Sequence, residues 1–253
     1  EARALWWAVD RPNLFIKIPA ARQGIPAISA CLAEGISINV TLIFSLTRYD
    51  QVQGAFLDGM ERARQAGHNL HDIASVASFF VSRVDTEVDM RLDTIGSPQA
   101  RELRGQVAVG NARLAYQRYE QMLATGRWQA LAAAGGRPQR PLWASTSMKN
   151  PAYPDTRYVV DLVAPNVVNT MPEATLRAVA DHADVPTDSI HGSYEHAQGI
   201  LDRLADLGVD YDDVVGKLEH DGIATFAAAW RDLADELDAA LTHPAAHHEG
   251  RVA

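Results

Sequence analysis

The chain has 253 residues, 47% of them hydrophobic and 22% charged, a composition typical of a globular protein with a substantial core. Its formal net charge of −9 argues against a general nucleic-acid binder, because phosphate backbones require a basic surface. It contains no apolar stretch long enough to cross a bilayer, one cysteine and no Cys/His spacing typical of zinc. The sequence therefore predicts a cytoplasmic protein without a metal site.

Short apolar segments alternate with helical ones along the chain. Strands are predicted, in order, at residues 13–19, 37–44, 73–81, 141–145 and 158–164. Helices are predicted at residues 20–35, 47–67, 86–135 with a break near 96–98, and from 165 to about 241, before a frayed tail at 242–253. Nearly continuous apolar strands separated by helices indicate a parallel sheet covered on both faces. An open doubly wound sheet and part of an eight-stranded barrel both fit this pattern.

Lys17 is one of only three lysines, and it lies in the otherwise apolar strand Leu-Phe-Ile-Lys-Ile-Pro. Burial of an ammonium group costs free energy and favours the neutral amine. A neutral amine is the nucleophile that Schiff-base chemistry on a ketone requires. A lysine with its stem on the core and its head in water gives the same pattern, and position alone favours that interpretation.

Polar side chains follow or interrupt the next three predicted strands. Strand alternation places Asn39 and Thr41 on one face, where they could orient a water or a substrate hydroxyl, or could bond to neighbouring backbone. Ser78 and Arg83 accompany the end of the third strand and suit an anion, because arginine offers a forked set of charged donors. Ser145 to Ser147 and Lys149 after the fourth strand could complete the same anion site, or could form solvated loops.

Five segments together resemble the transaldolase family, and they occur in family order across nearly the whole chain. They are residues 13–20 (Asn-Leu-Phe-Ile-Lys-Ile-Pro-Ala), 35–45 (Gly-Ile-Ser-Ile-Asn-Val-Thr-Leu-Ile-Phe-Ser), 77–89 (Ala-Ser-Phe-Phe-Val-Ser-Arg-Val-Asp-Thr-Glu-Val-Asp), 142–151 (Leu-Trp-Ala-Ser-Thr-Ser-Met-Lys-Asn-Pro) and 168–172 (Val-Asn-Thr-Met-Pro). Lys17 and Asn39 lie 22 positions apart, as the resemblance requires.

The resemblance implies a class I aldolase (β/α)8 TIM barrel that needs no metal or organic cofactor. Lys17 then matches the lysine that forms the Schiff base, and Asn39 and Thr41 match residues that hold the intermediate and the catalytic water. The matching phosphate-binding positions are Ser78, Arg83 and Ser145, and Phe80 matches an aromatic residue of the pocket. Lys149 is expected to substitute for an arginine that some members have at the position of Ser147.

The family's lysine lies on its fourth strand, so residues 1–241 are expected to form a single domain containing strands 4 to 8 of the barrel and to lack the first three. The catalytic aspartate, a substrate-binding asparagine and the catalytic glutamate would be encoded upstream of Glu1. Glu87 superficially matches the glutamate motif, but its position predicts a helix, so the catalytic role is not assigned to it. We expect this chain alone to turn over poorly, since general acid–base help is typically worth ~10²–10⁴-fold.

The implied activity is transfer of a dihydroxyacetone unit between sugar phosphates in the non-oxidative pentose phosphate pathway, by a monomer or homodimer. Two alternatives remain open. The first is a related lysine aldolase of the fructose 6-phosphate aldolase type, which releases free dihydroxyacetone. The second is a catalytically impaired fragment that binds sugar phosphates. The length of the chain and the long helical insert at 86–135 favour transaldolase over the lysine aldolase.

Overall fold

A single parallel sheet runs through the part of the chain that the computed structural model describes, residues 1–242. Its strands are β1 (Ile16–Pro19), β2 (Ile38–Ile43), β3 (Ser75–Phe80), β4 (Arg140–Ala144) and β5 (Val168–Asn169). Each strand pairs in parallel with the next strand along the chain, in the order β1-β2-β3-β4-β5. Sequential parallel strands joined by helices are consecutive units of a TIM barrel, and these five form part of one.

Eleven helices and one short 3-10 turn connect and cover these strands within residues 1–242. The helices are α1 (Ala2–Val9), α2 (Gly24–Ala33), α3 (Leu46–Gln65), α4 (Ser82–Ile95), α5 (Pro98–Leu103), α6 (Val107–Leu123), α7 (Gly126–Ala133), α8 (Arg157–Val160), α9 (Glu173–His182), α10 (Tyr194–Asp206) and α11 (Tyr211–Thr242). The 3-10 turn is at Leu70–Asp72. None of these helices is long and apolar enough to span a membrane. The predicted tail at 242–253 lies outside the described residues, except for Thr242 at the end of α11.

Local signals set several helix boundaries. Ser45 begins α3, because its side-chain oxygen accepts a hydrogen bond from the backbone N–H of Arg48. Ser97 begins α5 in the same way, with Pro98 in the first helical position. Gly96, which has φ 66°, ends α4 in the left-handed conformation that glycine tolerates. The predicted helical region at 86–135 is therefore four helices, with the expected break at 96–98 confirmed.

The two faces of the sheet differ in what they pack against. Phe79 and Trp143 pair in register and point to the helical layer, where their rings meet edge to face at 6.3 Å. Tyr49 of α3 packs on Phe79 at 6.0 Å, and all three are almost fully buried. The opposite face carries the polar positions of β2 and β3, which places the candidate site residues on the face that points inward in a barrel.

The prediction of a strand at 158–164 is wrong. Residues Arg157–Val160 form the short helix α8, and the fifth strand is Val168–Asn169. Backbone N–H groups of the segment bond to carbonyls three or four residues back, as at Val160 to Thr156 and Asp161 to Arg157. Tyr158 and Val159 are buried in this turn of helix, which contacts α4 through Tyr158. The helical region predicted after 165 begins with this strand and then contains α9, α10 and α11.

Candidate active site

Lys17, Asn39 and Ser78 lie on three adjacent strands at the same face of the sheet. Lys17 is the register partner of Asn39, which places the two side chains next to each other on that face. The Ser78 hydroxyl donates to Asn39 Oδ1 at 2.7 Å, so the Asn39 amide is oriented by the third strand. The structure thus brings together the lysine, the amide and the hydroxyl that the sequence motifs identified.

Thr41 follows Asn39 on the same face, and its side chain is almost fully buried. Thr41 Oγ1 has no hydrogen-bond partner among the described residues, although its backbone carbonyl accepts from Ala20 N. The pairing of β2 with β3 is irregular between Val40 and Ile43, and Leu42 has φ 59°. A positive φ at a non-glycine residue is unusual, and irregular pairing of this kind re-aims side chains near functional sites. A buried hydroxyl without a partner in such a position suits a water or a ligand.

Phe80 and Arg83 lie where β3 passes into α4. The Arg83 guanidinium carbon lies 5.4 Å from the centre of the Phe80 ring, and Phe44 packs on the same ring at 5.2 Å. Arg83 is exposed in the first turn of α4 and forms no ion pair within residues 1–242. The stacked ring restrains the guanidinium, whose charged donors are available for an anion.

Ser145 and Lys149 lie in the segment that follows β4. Ser145 has φ 56°, and its hydroxyl lies 2.9 Å from that of Ser82, the residue before Arg83. The exposed Lys149 donates from Nζ to Ser147 Oγ at 2.7 Å. The ammonium of Lys149 therefore reaches the side chain of Ser147, the position at which some members of the resembled family have an arginine. The end of β4 and the start of α4 together carry one guanidinium, one ammonium and the hydroxyls of Ser82, Ser145, Thr146 and Ser147.

Lys17 is solvated in the described part of the chain, the interpretation that its position alone favoured, and it is not the buried amine that Schiff-base chemistry would favour. β1 is an edge strand, and Lys17 is exposed with its Nζ 5.6 Å from the ring centre of Phe226 in α11. A cleft of about 540 Å³ runs along β1 between α1 and α2 and includes Lys17, Arg3 and Cys31 in its lining. The amine is exposed because no strand pairs with the outer edge of β1 within residues 1–242.

Phe226 was not identified from the sequence as a site residue. It belongs to an apolar series in α11 at positions 223, 226, 230, 233, 237 and 241, all of them partly exposed. The spacing of this series was a detectable signal of an apolar helix face. Glu87 lies in α4, as its position predicted, and it bonds to Arg91 of the same helix and to Lys217 of α11. The Lys217 pair joins the N-terminal part of α11 to α4.

The fold is that of a β/α-barrel protein, with a lysine on β1 and a guanidinium, an ammonium and several hydroxyls near the carboxyl ends of β3 and β4. The sequence profile of the family described as Transaldolase/Fructose-6-phosphate aldolase matches residues 1–237, and the chain belongs to this family. The resemblance found in the sequence motifs is thereby confirmed.

Several relatives described as transaldolases are similar over nearly the whole chain. The transaldolase of Acidothermus cellulolyticus is 64% identical over 241 residues, which cover 95% of this chain and 64% of the relative. The transaldolase of Thermobifida fusca is 60% identical over 94% of this chain and 64% of the relative. Transaldolase 2 of Streptomyces coelicolor is 57% identical over 95% of this chain and 65% of the relative. The chain therefore spans slightly less than two thirds of the length of these relatives.

Proposed function

We propose that the protein is a cytoplasmic transaldolase that uses Lys17 as its Schiff-base nucleophile. It would transfer a dihydroxyacetone unit from sedoheptulose 7-phosphate or fructose 6-phosphate to glyceraldehyde 3-phosphate or erythrose 4-phosphate, in the pentose phosphate pathway. The observation that carries the proposal is the register pairing of Lys17 with Asn39, beside a hydroxyl of β3 that fixes the amide. The names of the relatives at 57–64% identity support the same activity.

The proposed reaction begins when the Lys17 amine attacks the C2 carbonyl of the ketose and water leaves, which gives a protonated imine. The C3–C4 bond then breaks, its electron pair passes into the imine as an enamine, and the C4 hydroxyl loses its proton as the aldose departs. The enamine adds to the aldehyde carbon of the second aldose, and water releases the new ketose from Lys17. The imine is itself the electron sink, so this reaction uses no metal or organic cofactor.

Asn39 and Thr41 are suited to the two polar tasks of this sequence. The Asn39 amide is held by Ser78 through its oxygen, which leaves its N–H donors for a substrate hydroxyl. The buried, unpartnered Thr41 hydroxyl has the capacity to orient the water that hydrolyses the imine. Lys17 and Thr41 are therefore the proposed catalytic residues, and Asn39 and Phe80 the proposed contacts to the sugar.

The phosphate of the substrate is proposed to bind at Arg83, Ser145 and Lys149, and at Ser78 when its hydroxyl turns from Asn39 to a phosphate oxygen. Arg83 offers a fork of charged donors restrained by Phe80, and Ser145 is held 2.9 Å from the Ser82 hydroxyl beside it. Lys149 supplies a second positive charge, and its ammonium is positioned by a hydrogen bond to Ser147 Oγ. Charge-assisted hydrogen bonds of this kind are about twice as strong as neutral ones, which favours a phosphorylated over an unphosphorylated ketose.

A second candidate function is binding of sugar phosphates without catalysis. The exposure of Lys17 at the edge of the sheet favours it, because a solvated ammonium is a poor nucleophile. A related activity, cleavage of fructose 6-phosphate with release of free dihydroxyacetone, uses the same imine and the same residues. Product analysis in the presence and absence of an aldose acceptor separates this cleavage from transfer.

Reductive trapping tests the proposal. The chain is incubated with fructose 6-phosphate and sodium borohydride, and the modified lysine is located by peptide mass mapping. Only three lysines are present, Lys17, Lys149 and Lys217, so the assignment is unambiguous. The proposal requires the adduct on Lys17 and its loss in the Lys17→Arg variant. Retained binding of fructose 6-phosphate with an unmodified Lys17 would favour the non-catalytic function.

A further inference from the structure

Two buried carboxylates of α4, Asp85 and Asp89, have no part in the proposed reaction. They lie one helical turn apart, and their residues are only 2% and 7% exposed. Each accepts one backbone N–H near the start of α6, Asp85 from Ala108 at 2.8 Å and Asp89 from Gly105 at 2.9 Å. Each also accepts one phenol hydroxyl from the region after β4.

Those phenols belong to the same stretch of chain as the proposed phosphate contacts. Tyr153 donates to Asp89 at 2.7 Å, and Tyr158 donates to Asp85 at 2.8 Å. Residues 145–156, the 145–156 loop, connect β4 to α8 and carry Ser145, Lys149 and Tyr153. Its first residue is bound to α4 through Ser82, so the loop contacts α4 at its start and is held to α4 at its end.

Arg83 lies in the first turn of α4, two residues before Asp85. The helix α4 therefore carries the guanidinium of Arg83. The same helix is hydrogen-bonded to both ends of the loop that carries Lys149. Burial of a carboxylate is costly, and fully hydrogen-bonded buried networks fix one geometry rather than many. Burial raises the pKa of Asp85 to about 6, with Asp89 acting in the same direction and the Ala108 N–H, the Tyr158 hydroxyl and Arg157 opposing it.

We propose that Asp89 and Tyr153, supported by Asp85 and Tyr158, are positioning residues that set the spacing of Lys149 and Ser145 from Arg83 and so determine the affinity for the substrate phosphate. This inference rests on the proposed function, because it assumes that these three side chains bind the phosphate. It assigns a role in phosphate specificity to residues that do not touch the phosphate themselves.

The Tyr153→Phe variant tests this inference with the smallest change. It removes one hydroxyl and leaves Asp89 with its bond from the Gly105 N–H. The matched control is Tyr116→Phe, which removes a phenol hydrogen bond of 3.1 Å to the Pro165 carbonyl, outside the 145–156 loop. Asp89→Asn is the second variant, since an amide has one carbonyl oxygen for two donors. Thermal unfolding of each variant establishes that it is folded.

Three quantities are measured on the whole 253-residue chain. They are the Kd for fructose 6-phosphate, the rate of borohydride trapping of Lys17 by dihydroxyacetone, which carries no phosphate, and the hydrogen exchange of loop amides at 147–152. Tyr153→Phe is expected to raise the Kd about five- to tenfold, less than the loss of a direct charged hydrogen bond to the phosphate, because Tyr153 acts only through the loop. Loop exchange should accelerate, whereas trapping by dihydroxyacetone and all three quantities in Tyr116→Phe should not change.

The outcomes separate this inference from the proposed function. Faster loop exchange in Tyr153→Phe with an unchanged Kd for fructose 6-phosphate would overturn the positioning role and leave the phosphate site intact. An equal loss of dihydroxyacetone trapping would also overturn it, because the effect would then be on the fold as a whole. If the unmodified chain bound fructose no less tightly than fructose 6-phosphate, the proposed phosphate site itself would fail, and this inference with it.

Discussion

The two ends of the candidate site are built differently. The phosphate side, defined as Ser78, Arg83, Ser145 and Lys149, lies between paired strands and is tied to α4 through Ser82 and two buried carboxylates. The lysine side, defined as Lys17 and the outer edge of β1, has an exposed amine beside a half-exposed aromatic ring. Hydrogen bonds to α4 therefore hold the phosphate side in place, whereas the environment of an edge lysine depends on what covers that edge.

The largest expected effect is on stability, and it contrasts β3, the strand that carries Ser78, with the lysine side. Phe79→Ala is expected to lower the free energy of unfolding by about 3–5 kcal/mol, because the ring is 1% exposed and packs on Tyr49 and Trp143. Phe226→Ala on the lysine side, where the ring is 43% exposed, should cost about 1 kcal/mol or less. Urea unfolding of both variants measures the difference, and equal losses would contradict the contrast.

Removal of the guanidinium on the phosphate side should have the next largest effect. Arg83→Gln is expected to weaken binding of fructose 6-phosphate about 10- to 150-fold, since hydrogen bonds to charged groups contribute about 1.5–3 kcal/mol. Arg64→Gln is the control, because Arg64 lies in the last turn of α3, at the opposite end of the strands. Isothermal titration calorimetry gives both Kd values. Equal affinities of the two variants would remove Arg83 from the phosphate site.

The unpartnered hydroxyl of Thr41 permits a prediction in which stability and reactivity move in opposite directions. Thr41→Val keeps the shape of the side chain and removes a buried polar atom without a partner, so the free energy of unfolding should rise by about 1 kcal/mol. Release of the Lys17 imine should become slower, because the hydrolytic water loses its hydroxyl contact. Chemical denaturation reports the change in stability. The fraction of Lys17 that borohydride still traps at successive times after the ketose is removed reports the rate of imine hydrolysis. A destabilised variant would show that Thr41 has a partner in solution.

A smaller effect concerns pH and lies outside both sides of the site. The ring of His191 lies between Asp188 and Glu120, at 2.8 Å from Glu120, and its pKa is raised by hydrogen bonds to Asp188 and then Glu120. Tyr116 packs edge-on against the ring, and Tyr194 donates to Glu120.

Because the folded-state pKa of His191 is raised, its stabilisation is fully present below the unfolded value of 6.5 and is lost as pH rises through the folded value. His191→Gln should therefore flatten the fall in melting temperature above pH 6.5, while the affinity for fructose 6-phosphate stays unchanged. An identical pH profile in both proteins would show that the two carboxylates do not stabilise the charged ring.

Much of the fold was predictable because strand and helix patterns are local. The strands around Lys17, Asn39, Ser78 and Leu142 were located to within a few residues, and strand alternation placed Asn39 and Thr41 on one face. The segment 158–164 was assigned wrongly, because a β-branched run has the same local pattern in a buried helical turn. Its conformation depends on a bond from Tyr158 to Asp85, 73 residues earlier in the chain.

The positions of the candidate residues in the sheet were largely predictable, and their environment less so. Asn39 and Ser78 could be placed together because parallel strands align their carboxyl ends. The sequence left the environment of Lys17 open between a buried amine and a solvated one, since burial of an edge strand depends on its neighbours and not on its own residues. The hydrogen bond of Asp89 to Tyr153 could not be predicted for a similar reason, because the two residues lie 64 positions apart.

The most direct measurement of the whole account compares two ketoses in the trapping reaction. Labelling of Lys17 by borohydride is followed as a function of concentration for fructose 6-phosphate and for fructose. If the phosphate side delivers the ketose to Lys17, the phosphorylated sugar should half-saturate labelling at a concentration at least tenfold lower, about 1.4 kcal/mol of binding free energy. Equal concentration dependence for the two sugars, or a label on Lys149 or Lys217 instead of Lys17, would contradict it.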